Sequence, residues 1–155
     1  MIAEFDALSE SEVELMHKAP ILVCILVAGA DNNIDQSEMQ VAINLAKKKS
    51  KRSKSRLMEF YSTVAEDFED KIKIIIQSFP VEAEQRNILI MNELNQLNSI
   101  FSKLEKSFAI HFYESIREIA KKIAESSGGM LWIKSIGPEE AKFVDLPMIK
   151  NPASS

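Results

Sequence analysis

The sequence predicts an all-α fold, a single-domain bundle of about seven helices. Apolar residues recur at helical spacing in one stretch after another; Ile90, Leu94, Leu97, Phe101 and Leu104 step by four, three, four and three. Helix breakers are scarce, with four Gly and five Pro in 155 residues, while Leu, Ile, Ala, Lys and Glu abound. A chain of this length buries about 70% of its unfolded surface as one domain, with a core expected over about residues 9–149 and short frayed ends.

The elements follow in order. Ser9 and Glu12 form a capping box, and Glu10, Glu12 and Glu14 crowd the positive end of a short first helix. Val13 and Met16 face inward there, with His17 beside them. Pro20 opens the next helix at its first position, where the missing N–H does no harm. Ile21 to Ala30 is apolar on every side apart from Gly29, as expected of a helix surrounded by others. The eleven residues from Pro20 to Ala30 fall short of the ~20 that span a bilayer. Asn32 and Asn33 tolerate the left-handed backbone that ends helices, and Ile34 turns inward. Asp35 caps a third helix with Glu38 three residues on, and Met39, Ala42, Leu45 and Ala46 keep its spacing.

Leu57 to Ser78 reads as helix in two pieces, with Leu57, Phe60, Tyr61 and Val64, then Phe68, Ile72, Ile75 and Ile76, as apolar stripes. Phe79-Pro80 ends it. A longest helix is expected from about Val81 to Leu104. Glu105 to Ser126 carries Phe108, Phe112, Ile116, Ile119, Ala120 and Ile123 on one face, and Gly128 and Gly129 stop it. Met130, Leu131, Trp132 and Ile133 read as an apolar loop tucked onto the core. Gly137, Pro138, Glu139 and Glu140 open a last short helix, and Asn151 to Ser155 reads as a frayed tail.

Composition bounds the function. A formal net charge of −4 implies no global attraction to nucleic acid or to a membrane. The acidic start, MIAEFDALSESE, lacks the basic-then-apolar order of a signal peptide, so the expected compartment is the cytoplasm. Cys24, alone and inside the apolar helix, reads as a small buried hydrophobe. His17 and His111 stand apart from other metal-type ligands and read as partly exposed polar residues. There is no H-x-x-x-H pair, no Cys pair and no nucleophile elbow, which leaves metal-assisted hydrolysis only a carboxylate-based form.

Two stretches carry charge in a pattern. At the corner after the apolar helix, Asp35 and Glu38 are accounted for as a helix cap, with Asp31 facing water or a nearby N–H. The sharper reading is a divalent-cation site for calcium or magnesium. Asp31, Asp35 and Glu38 match positions five, nine and twelve of a calcium-binding loop, whereas Val27 and Gly29 at positions one and three bring no side-chain oxygen. The second stretch has seven cations in ten residues: Lys47, Lys48, Lys49, Lys51, Arg52, Lys54 and Arg56. It reads either as a solvated helix end or as an electrostatic patch for nucleic acid, anionic membrane or an acidic partner. No aromatic interleaves it, which argues against single-strand binding.

The corner AGADNNIDQSE resembles the A-x-A-D-G-x-I-D-x-x-E corner of the TerB-like family, named for a tellurite-resistance protein. A similar domain stands at the N-terminal side of a membrane-anchored DnaJ-like co-chaperone. The closing segment IREIAKKIAESSGGMLWIKSIGPEEAKFVDLPMI resembles that of some bacterial TerB-like proteins, and the likeness extends over most of residues 9–149. Asn32 stands where Gly is usual, and both accept positive φ. The resemblance implies an all-helical bundle without catalysis, a role in metal or metalloid stress, a protein partner, and acids at Asp31, Asp35 and Glu38. Ile136 to Glu140 repeats the order of Ile34 to Glu38, so Glu140 is the candidate fourth ligand, although Ser126-Ser127-Gly128 brings no aspartate to that second corner. The expected function is a non-enzymatic binding module, with electrostatic docking through residues 47–56 as the alternative and carboxylate-metal hydrolysis behind it.

Overall fold

The computed structural model describes residues 5–28, 44, 55–127, 143 and 145–154. The regular elements among them are all helical: α1 (Glu10–Ala28), α2 (Ser55–Glu66), α3 (Phe68–Ser78), α4 (Ala83–Asn95), α5 (Leu97–Phe101), α6 (Lys106–Ser127) and a terminal 3₁₀ turn, Pro152–Ser154. Asn44, within the expected third helix, is also helical. The Gly128-Gly129 stop, the apolar loop 130–133 and the last short helix lie outside the described residues. No helix among the described residues is long and apolar enough to cross a membrane.

α1 is the axis of the arrangement. Its capping box forms as the sequence predicts: the Ser9 N–H donates to Glu12 Oε1 at 2.8 Å and the Glu12 N–H donates to Ser9 Oγ at 3.3 Å. From Ala19 to Ala28 every residue is buried, so the helix has no solvent face along that stretch. α6 packs most extensively against it, and α4, α3, α2 and α5 cover its other sides. All six helices contribute to one apolar core.

Where α1 runs, the expectation of two helices is corrected. Pro20 lies inside a single 19-residue helix rather than at the first position of a second one. Its ring removes one helical hydrogen bond and crowds the preceding turn. Lys18 and Ala19, just ahead of it, offer no capping side chain on which a new helix could start. Leu15, Met16 and Ala19 before the proline and Ile21 and Leu22 after it are buried in the same core, and that shared packing carries the helix through.

The stretch from Leu57 to Ser78 divides as the spacing predicts, at Asp67, and its stripe residues Leu57, Phe60, Tyr61, Val64, Phe68 and Ile72 are buried. Phe79 leaves α3 in an extended conformation ahead of Pro80, its N–H donating to the Ile76 carbonyl. The expected longest helix is instead two, α4 and α5, and α6 is longer than either. The break is slight: Gln96 keeps helical angles, but its N–H donates to the Glu93 carbonyl three residues back, at 3.1 Å. The tighter turn leaves the apolar spacing intact, so Ile90, Leu94, Leu97, Phe101 and Leu104 are all buried.

Phe5 and Pro152, near the two limits of the described residues, are better held than the surrounding composition suggests. Phe5 is 1% exposed, with its ring edge-on to Phe60 at 6.0 Å and to Phe108 at 6.1 Å. At the other end Pro152 is buried within its 3₁₀ turn, which packs on α6. Both findings correct the expectation of frayed ends. In each case one apolar residue is buried, Phe5 within the core, and a local bond lies beside it: Leu8 N–H to the Phe5 carbonyl at 3.0 Å, and Ala153 N–H to Asn151 Oδ1 at 2.9 Å.

The proline correction makes Pro20→Ala a test. Restoring an interior hydrogen bond recovers about 3 kcal/mol, against roughly 1.6 kcal/mol for two buried methylenes lost. The urea midpoint should rise by the equivalent of about 1 kcal/mol with an unchanged slope. A proline at the first position of a helix would give no such gain.

Candidate functional site

The sequence-predicted site residues fall largely outside the described part of the chain. Asp31, Asp35, Glu38 and Glu140 lie outside it, as do Lys47, Lys48, Lys49, Lys51, Arg52 and Lys54. Arg56 belongs to the first turn of α2. What the structure describes is the helix that leads into the acidic corner and what packs beside it.

Two ion pairs fix how α1 meets the α4–α5 segment. Glu12 Oε2 lies 2.7 Å from Lys103 Nζ, and Lys18 Nζ lies 2.9 Å from Glu93 Oε1. Rising numbers on one strand of this pairing meet falling numbers on the other, so the two run antiparallel. In the first turns of α4, Arg86 and Asn87 are 5% and 6% exposed, on the buried face of that helix with Ala83 and Ile90. The Arg86 Nη1 donates to the Val81 carbonyl at 3.2 Å, and desolvation lowers its pKa from the ordinary guanidinium value. Asn87 Oδ1 is buried with no hydrogen-bond partner among the described residues. The sequence carried a signal for this pair, since positions 83, 86, 87, 90 and 94 share one helical face.

The reactive side chains described elsewhere are spent on packing. Cys24 is fully enclosed, and burial pushes its thiol well above the ordinary range. Tyr61 bonds to Ser115 across 2.7 Å, Ser115 donates to the Phe112 carbonyl at 2.7 Å, and burial again raises the phenol. His17 is stacked on Phe60 at 5.2 Å and met edge-on by Phe5 at 5.6 Å. Helical register put it on the inner face beside Val13 and Met16, where an imidazole packs as an aromatic. His111 is half-buried. Among the described residues no group of three or more His, Cys, Asp or Glu is placed to hold a metal ion.

Surface clefts also lie among the described residues. One, of about 230 Å³, lies on α6 beside Glu114 and Lys121, where Arg117 Nη2 pairs with Asp145 at 2.8 Å and rests over the Tyr113 ring. Another, of about 300 Å³, opens between α5, the start of α6 and the C-terminal segment. At the start of α3, Asp67 pairs with Lys71 at 3.3 Å and Glu69 with Lys73 at 3.6 Å, both one helical turn apart. No family model, curated protein or solved structure matches the chain.

The setting of His17 gives a pH dependence. Desolvation, then the charge of Lys71, holds its pKa below the ordinary imidazole value of 6.5, with a backbone hydrogen bond at Val13 opposing. The unfolded chain therefore binds the proton more readily, so this contribution is full above the unfolded pKa and lost as pH falls through 6.5 toward the folded value. Urea unfolding of wild type from pH 7.5 to 5 should show that loss, and His17→Phe should flatten that part of the profile.

Proposed function

We propose that the chain is a non-enzymatic, TerB-like helical binding module of the cytoplasm that holds a divalent cation at the corner after α1 and engages a protein partner. The reading rests on the acidic corner that Asp31, Asp35 and Glu38 bring in sequence, with Glu140 as the fourth carboxylate, and on the resemblance of that corner to the TerB-like pattern. The observation that supports it best is the burial of α1 up to Ala28, the last residue before the corner segment. A helix enclosed on every side is a fixed mount, and a ligand set attached to a fixed mount loses little freedom when it closes on an ion. Calcium and magnesium suit an all-oxygen set of this kind. The packing roles of Cys24, Tyr61 and His17 also favour binding over catalysis, because none is poised as an exposed nucleophile or base.

Thermal unfolding with calcium, magnesium, manganese and zinc tests the cation half. An ion that binds only the folded chain adds about 2.7 kcal/mol at a hundredfold excess over its Kd, which raises the midpoint by roughly 5–10 °C at this size. Asp31→Asn and Asp35→Asn should each shrink that rise. Midpoints that stay fixed at millimolar metal would retire the cation site.

A further inference from the structure

We draw no further inference here: the strongest candidate, the exposed apolar side chains Ile74 on α3, Val81 in the turn that follows it and Ile88 and Leu89 on α4, is a surface for which nothing in the structure shows what covers it.

Discussion

The complete burial of Ala19–Ala28 sets where everything else must go. A helix with one apolar stripe needs one neighbour, whereas a helix that is apolar all round needs a closed ring of them. α2, α3, α4, α5 and α6 provide that ring, and each carries its own apolar stripe on the side that faces α1. Each buried Leu, Ile or Val along α1 contributes about 1.5–3 kcal/mol, and a run of such residues outweighs the ~3 kcal/mol cost of an interior proline. The same enclosure leaves Ala19–Ala28 no side that meets water, whereas the first half of α1 keeps one, through Glu14 and Lys18.

Charge then sets the register without supplying much of the stability. Glu12 with Lys103 and Lys18 with Glu93 bracket the contact of α1 with α4 and α5. Partly exposed pairs of this sort contribute about 1 kcal/mol or less. They do, however, distinguish one sliding position of the helices from the next, which apolar contacts do weakly. Lys18 gains a second contact, its ammonium 5.8 Å from the Phe79 ring centroid, so the end of α3 is tied to the same point. In the first turns of α4, Arg86 and Asn87 are enclosed polar groups, and desolvation lowers the Arg86 pKa.

Much of the packing was legible because apolar spacing survives small breaks in the helix. The stripes through Leu57, Phe60, Tyr61 and Val64 and through Phe108, Phe112, Ile116, Ile119, Ala120 and Ile123 are buried as the sequence indicates. The break at Gln96 was invisible for the same reason: a single turn tightened from four residues to three leaves the side chains facing the same way. Pro20 misled because the local rule for a first helical position and the tertiary demand on an interior one make the same residue acceptable. Arg86 and Asn87 were missed because their polarity outweighed their register, although each falls on the inward face of its helix. The two ends were missed because one deeply seated residue, Phe5 or Pro152, counts for little in a composition dominated by acids, Ser and Ala. The acidic corner and the basic run remain readings of residue type and spacing alone.

The enclosure of Cys24 gives the chain a built-in reporter. A thiol that is 2% exposed and held protonated by its surroundings meets an alkylating reagent only when α1 itself comes apart from its neighbours. Because the chain has a single cysteine, the rate of its modification tracks one event, the opening of the central helix. Fraying at Phe5 or release of the tail would leave that rate unchanged.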